Sequence, residues 1–128
     1  MKYQLSLLLT AVLFLAFASS LEAQTQAEMN RQAAEDFEAA DQKINETYQA
    51  LIAAHGADAP AIERLRATQR VWIQYVDLHL DYLYPVGENE DPRALYGSMY
   101  PLLVMGAKTQ LFEQRISLLA QELESLRL

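Results

Sequence analysis

Apolar side chains recur along most of this chain with the 3.6-residue spacing of amphipathic helices, and no segment shows the alternation of a strand. The pattern predicts three helices, over about residues 26–54, 60–83 and 98–126. The two connections between them are short or medium, so successive helices should lie side by side. The predicted fold class is all-α, a small antiparallel three-helix bundle after an N-terminal signal peptide.

Each predicted helix has an apolar stripe, and the three stripes together predict the core. The stripe of the first helix consists of Ala33, Phe37, Ala40, Ile44, Tyr48, Leu51 and Ile52. The stripe of the second consists of Ile62, Leu65, Gln69, Trp72, Val76, His79 or Leu80, and Leu83. The stripe of the third consists of Leu103 or Val104, Ala107, Leu111, Arg115, Leu118, Glu122 and Leu126, joined by Leu119 and Leu123.

Helix-terminating residues support these boundaries. Gly56 suits the C-terminal cap of the first helix, and Pro60 suits the first turn of the second. The N-cap of the second helix falls on Asp58 or Ala59, of which Asp58 is chemically the better choice. Ser98 is the candidate N-cap of the third helix.

The first residues have the layout of a secretory signal peptide. Lys2 precedes an apolar run over residues 5–17, and small residues follow up to Ala23. The run is shorter than the ~20 apolar residues that span a membrane. The sequence therefore predicts a signal peptide over residues 1–23 and a mature domain over residues 24–128, with Ser20 as the next choice of cleavage site. An uncleaved N-terminal anchor is the alternative, because the two kinds of segment overlap in length.

The net charge of −7 and the absence of cysteine narrow the possibilities. An acidic surface disfavours nucleic acid and anionic membranes and favours basic partners. Without a cysteine at the cleavage site the chain is not a lipoprotein. These features predict a periplasmic or secreted protein that leaves the membrane after signal cleavage.

Candidate catalytic groups and metal ligands are scarce, and we predict no catalytic residue, no metal and no cofactor. His79 stands between Asp77 and Asp81, but residues two apart on a helix do not converge on one ion. The acidic run over residues 88–91 lacks the central glycine of a calcium loop, so a solvated loop is the simpler interpretation.

A polar residue interrupts each stripe: Asp41, Gln69 and Arg115. Buried polar groups must be paired, so we expect Arg115 to bridge to Asp41 or Asp77. This bridge would belong to a structural polar network that fixes helix register; a ligand-binding cluster is the alternative. The predicted network comprises Asp41, Asn45, Tyr48, Gln69, Trp72, Asp77 and Arg115.

Tyrosines and acidic residues flank the second connection. Tyrosine is favoured at interfaces because its ring is apolar and its hydroxyl forms hydrogen bonds. The tyrosines are either a contact surface or the cover of a small core. The candidate partner-binding residues are Glu88, Glu90, Asp91, Tyr96 and Tyr100.

Five short motifs in order resemble the lysozyme inhibitor LprI-like N-terminal domain family, formerly a domain of unknown function. They are residues 25–30 (TQAEMN), Asp41-x-x-x-Asn45-x-x-Tyr48, Gln69-Arg70-x-Trp72-Ile73-x-Tyr75-x-Asp77, Gly97-Ser98-Met99-Tyr100-Pro101 and Glu113-Gln114-Arg115. The resemblance covers essentially the whole mature chain. This chain departs from it as a cysteine-free member: family cysteines correspond to Gln32, Leu80 and Ala107, and a frequent arginine corresponds to Val76.

The resemblance implies a non-enzymatic inhibitor that occludes a c-type lysozyme, and the opposite charges of such a pair favour their encounter. Two other functions remain open. One is a periplasmic interaction module of the cell envelope that binds another protein or itself and has no lysozyme activity. The other is an enzyme, for which the sequence offers no nucleophile–base pair.

Overall fold

The computed structural model describes the backbone of residues 2–127 and the side chains of residues 20–127. The described chain forms four helices: α1 (Lys2–His55), α2 (Ala59–Leu83), α3 (Pro92–Tyr96) and α4 (Tyr100–Arg127). Over this part of the chain no strand is present, which confirms the all-α prediction. Helices α1, α2 and α4 are the three predicted helices, and α3 is a short addition within the predicted second connection.

Helix α1 begins well before the predicted start near residue 26. Its long course has a simple cause, because no glycine or proline occurs before Gly56. Gly56 itself has a φ of 59°, and its N–H donates to the Ala53 carbonyl oxygen at 3.1 Å. The side chains of the predicted apolar run over residues 5–17 lie outside the described residues, so the signal peptide and its cleavage site remain predictions.

The start of α2 is capped as the sequence predicts. The Asp58 carboxylate accepts a hydrogen bond from the Ala61 N–H at 3.0 Å, and a proline occupies the first turn. Asp58 is therefore the N-cap. The helix ends at Leu83, where the N–H of Tyr84 donates to the Leu80 carbonyl oxygen at 2.9 Å.

The connection between α2 and α4 contains α3, which the hydrophobic pattern did not predict. Asp91 caps this helix by accepting from the Arg93 N–H, and Gly97 ends it with a φ of 75°. The third predicted helix, α4, begins at Tyr100, so Ser98 lies in the turn before it. Because α3 has only five residues and no apolar period, local capping rather than core burial defines it.

The chain divides into two compact units, residues 1–32 and residues 33–128. The described part of the first unit is the N-terminal portion of α1, in which side chains bond along the helix. Gln26 donates to Asn30, and Arg31 forms an ion pair with Glu28. The hydrogen bond and the positive charge of Arg31 hold the pKa of the Glu28 carboxyl below its ordinary value. No described helix is long and apolar enough to cross a membrane.

The second unit contains the core, and α1, α2 and α4 each contribute to it. The buried apolar residues are Ala40, Ile44, Leu51, Leu65, Val76, Leu111, Phe112 and Leu119. Packed against them are Phe37, Tyr48, Ile52, Trp72, Leu80, Ile116 and Leu123. Short helix α3 adds no buried residue. The predicted stripes of the first two helices therefore supply most of their share of the core.

Two contacts between α2 and α4 show the relative direction of these helices. Gln69 of α2 bonds to Arg115 of α4, and one turn further along α2 the Trp72 ring meets Phe112. As the residue number increases along α2, the number of the contacted residue on α4 decreases. The two helices therefore run antiparallel, as predicted.

The predicted stripe of α4 is correct at Leu111, Leu119 and Leu123 and wrong at its edge. Phe112 is buried although the predicted stripe omits it, whereas Leu118 and Leu126, which the stripe includes, are largely exposed. The buried face is centred on Phe112 and Leu119. The reason is size: the Phe112 ring buries more apolar area than a leucine, so the helix turns this ring inward.

Adjacent leucines of α4 provide a test of this register. Leu119 is 0% exposed and Leu118 is 52% exposed. We expect Leu119→Ala to lower the free energy of unfolding by about 2–5 kcal/mol, because it leaves a cavity. The matched change Leu118→Ala should cost at most about 0.5 kcal/mol. Urea unfolding followed by circular dichroism measures both, and equal losses would contradict the register.

Candidate functional site

Three tyrosines gather where α2 ends and α4 begins, and we call this group, Tyr84, Tyr96 and Tyr100, the tyrosine end. The Tyr96 ring stacks on Tyr100, with centroids 5.5 Å apart and 23° between the planes. Tyr84 meets the same ring edge-on at 5.8 Å and 89°. The Tyr96 hydroxyl donates to the Pro85 carbonyl oxygen at 2.9 Å. These contacts fasten α3 to the C-terminus of α2.

Two of the predicted partner-binding carboxylates shape the loop before α3. Glu90 Oε2 accepts from the Gly87 N–H at 2.7 Å, and Asp91 Oδ1 accepts from the Arg93 N–H at 3.0 Å. A Cβ at Gly87 would approach Glu90 Oε2 to 2.8 Å, so a larger residue there would displace the Glu90 carboxylate. Both carboxylates remain exposed, and each has further acceptor positions for a partner.

Glu88 differs from its neighbours because its charge has no structural use. It is exposed, and it makes no hydrogen bond or ion pair within the part of the chain that the structure describes. Residues 76–100 contain five acidic residues and one arginine, a net charge of −4 out of −7 for the whole chain. Residues 28–46 of α1 carry the same net charge, so the segment with the tyrosine end is one of two acidic stretches of the chain.

Two tyrosines on α2, Tyr75 and Tyr82, form a separate group. The Tyr75 ring stacks on His79 at 5.2 Å and 23°, and His79 also contacts Tyr82 at 6.0 Å and 36°. His79 therefore lies between two aromatic rings. Among the described residues no three His, Cys, Asp or Glu side chains are grouped so as to hold a metal ion.

The predicted polar network forms at one contact only. Arg115 Nε donates to Gln69 Oε1 at 3.2 Å, which joins α4 to α2. The expected bridge from Arg115 to Asp41 or Asp77 does not form, since both carboxylates are exposed and neither has an ion-pair partner among the described residues. Asn45 donates to the Asp41 carbonyl oxygen within its own helix.

The position of Asp41 on α1 explains the missing bridge. The buried face of α1 is centred on Ala40, Ile44, Thr47 and Leu51, which places Asp41 at the edge. There the carboxylate stays in water and avoids the cost of burial. Tyr48 and Trp72, the remaining predicted members, pack against the apolar core. Buried Thr47 satisfies its hydroxyl by donating to the Lys43 carbonyl oxygen at 2.8 Å.

An exposed apolar row on α2 was missed by the sequence reasoning. Val71, Tyr75, Leu78 and Tyr82 are all exposed, and we call them the α2 stripe. Their spacing of i, i+4, i+7 and i+11 is a second helical period beside the core stripe, and this spacing is the signal that could have found it.

Comparison with known proteins identifies a family and one relative of unknown function. The family model described as lysozyme inhibitor LprI matches residues 18–119 of the chain. An uncharacterised protein of Rhizobium meliloti (strain 1021) is 33% identical over 115 residues, which cover 81% of this chain and 78% of that protein. No solved structure matches the chain.

The contact between Arg115 and Gln69 predicts a measurable coupling. We expect Arg115→Met and Gln69→Met each to lower the free energy of unfolding, and the double variant to lose less than the sum, by about 1 kcal/mol. Arg64→Met removes an exposed arginine from α2 and is the control for charge. Urea unfolding of all four variants measures the coupling, and strict additivity would show that the bond contributes nothing.

The hydrogen bond from the Tyr96 hydroxyl to Pro85 should stabilise the loop between α2 and α3. Tyr96→Phe keeps the ring contacts but loses the bond to Pro85, which should open the loop about fivefold more often, equivalent to ~1 kcal/mol. Trypsin cleavage after Arg93 under native conditions reports this opening. Tyr82→Phe, outside the tyrosine end, should leave the rate unchanged. A Tyr96→Phe rate equal to that of the original chain would contradict the assigned role.

Proposed function

Because this chain belongs to the lysozyme inhibitor LprI family, we propose that it is an exported, non-enzymatic binding protein that occludes a basic lysozyme. The observation that carries the proposal beyond family membership is the tyrosine end beside the acidic loop. It offers aromatic contact area and negative charge on one segment, the combination that suits a basic protein surface.

Charge complementarity would act first, during encounter. The net charge of −4 over residues 76–100 attracts a basic protein towards this segment and raises the association rate. Glu88 is the best placed carboxylate for a direct contact, because no internal bond occupies it. Such steering weakens as salt screens the charges, with a Debye length of about 10 Å at 0.1 M.

Aromatic contact would then hold the complex. Tyr96 and Tyr100 are half-buried and stacked on each other, and the Tyr96 hydroxyl is bonded to Pro85. Little side-chain entropy therefore remains to be lost on binding. Large, fixed aromatic side chains are the usual centres of binding energy in interfaces. Inhibition follows from occupancy: a lysozyme whose cleft is covered cannot reach its polysaccharide, and the inhibitor performs no chemistry.

A turbidity assay on a peptidoglycan suspension tests this proposal with matched variants. We expect the original chain to slow lysis by a c-type lysozyme at molar excess and to lose potency as salt is added. Tyr100→Ala should raise the inhibition constant about tenfold or more. Glu88→Gln should weaken inhibition several-fold at low salt. Glu38→Gln on α1 changes the net charge equally and should have little effect.

The assay separates the two binding functions considered for this chain. Undiminished lysis at molar excess of inhibitor contradicts lysozyme inhibition and leaves the envelope interaction module as the remaining binding function. Equal effects of Glu88→Gln and Glu38→Gln would retain inhibition but remove the acidic loop from its contact surface. For the interaction module, the discriminating result is a reproducible bacterial partner without lysozyme affinity.

Export belongs to the same proposal. The leader over residues 1–23 would deliver the mature domain, residues 24–128, to the periplasm or the medium, where it can meet a lysozyme. The mass of the protein recovered from a periplasmic extract tests this step, because cleavage after Ala23 and retention of the leader give different masses.

A further inference from the structure

The α2 stripe is an apolar surface that the core does not use. Its four side chains, Val71, Tyr75, Leu78 and Tyr82, are between 48% and 77% exposed. At 3.6 residues per turn they fall within an arc of about 60°, and they extend about 16 Å along the helix. Exposed apolar side chains scattered singly are ordinary, but a continuous row on one helix indicates a contact surface.

Contacts within the row also hold its shape. His79 stacks on Tyr75 and contacts Tyr82, so the two tyrosine rings are supported from one side. The core residues Leu65 and Val76 of the same helix lie on another face, towards the bundle. The stripe is therefore a preformed surface that points away from the core.

The charge of α2 identifies what can cover this surface. The helix carries three arginines and three acidic residues, so it is neutral in a chain of net charge −7. The arginines, at 64, 66 and 70, lie in the N-terminal half, and Asp77 and Asp81 lie in the C-terminal half. A strongly basic partner gains little electrostatic attraction from a neutral face. A second α2 that runs in the opposite direction places its arginine-bearing half beside the aspartate-bearing half of the first.

We propose that two copies of this chain pair through their α2 helices in an antiparallel, twofold-symmetric contact. Val71 of each copy faces Tyr82 of the other, and Tyr75 faces Leu78. Arg70 and Asp81 flank the stripe on the same side, so each Arg70 meets the Asp81 of the second copy. An antiparallel pair brings equivalent flanks together, and the twofold axis repeats each favourable contact. A parallel pair would instead bring the two arginine-bearing halves level with each other, and likewise the two aspartate-bearing halves.

Self-association through α2 also suits the charge of the whole molecule. Two chains of −7 repel, and the neutral helix is the face on which they can approach with least repulsion. The tip of the acidic loop and the tyrosine end lie beyond the C-terminus of α2. This pairing therefore leaves the tyrosine end and Glu88 outside the self-contact, so variants there test lysozyme binding alone.

Engineered cysteines test the direction of pairing, and the absence of natural cysteine makes the result unambiguous. Disulfides need Cα atoms within about 7 Å of each other. In the antiparallel pair the two Val71 positions are offset by about 16 Å along the helices, whereas Val71 and Tyr82 are opposed. Val71→Cys mixed with Tyr82→Cys in a glutathione buffer should therefore give the mixed disulfide, and either variant alone should give little.

Sedimentation equilibrium of the full chain with charge-reversed variants tests the contact itself. We expect a concentration-dependent dimer that Arg70→Asp or Asp81→Arg weakens about tenfold, with the double reversal restoring it. Leu78→Gln should weaken the dimer similarly. Ile73→Gln is the matched control, because Ile73 is 53% exposed on a different face of α2.

Each contrary result overturns the proposal. A monomer throughout the concentration range contradicts self-association. A disulfide between two copies of the Val71→Cys variant would show that the pair is parallel rather than antiparallel. Failure of the double reversal to restore the dimer shows that the two charges do not meet. If the chain stays monomeric while Leu78→Gln weakens lysozyme binding, the stripe belongs to the lysozyme contact instead.

Discussion

The Phe112 ring is the contact on which the packing of this protein depends. It meets Phe37 of α1 at 5.0 Å and Trp72 of α2 at 4.9 Å, both edge-on, so one side chain of α4 touches both other helices. Lys108 places its ammonium 4.5 Å from the Phe37 centroid and covers this group from one side. Edge-on aromatic pairs are favourable beyond the area they bury, and together these contacts fix the level at which the three helices meet.

This aromatic group explains how a domain of this size stays folded without disulfides. Where the family resemblance places a cysteine, Leu80 packs against the core, and where it places an arginine, Val76 is 2% exposed. Both replacements turn a covalent or charged position into apolar packing. A buried charge requires a paired partner, and with Val76 in place that requirement disappears. A polar contact between α2 and α4 remains in the bond from Arg115 to Gln69.

The sequence predicted the class of fold, the α2 boundaries and most of the core, because periodicity and capping are local signals. It could not determine which face of α4 is buried, because Leu111, Phe112, Leu118 and Leu119 allow more than one apolar stripe. Only packing against α1 and α2 selects among them. The bridge from Arg115 to Asp41 was wrong for a related reason. A stripe drawn from sequence has no sharp edge, and Asp41 lies where water still reaches the carboxylate. In the candidate site, neither the stacking of Tyr96 on Tyr100 across the turn at Gly97 nor the bond to Pro85 was predictable, because both depend on how α3 ends.

One member of the aromatic group has a practical consequence. Trp72 is the only tryptophan of the chain, and its ring lies against Phe112 where the three helices meet. Selective excitation of this indole therefore reports on the packing of the three helices rather than on the tyrosines. A lysozyme brought to that end would leave the indole of this chain undisturbed, so a change in its emission would signal loosening of the interior rather than occupancy of the surface.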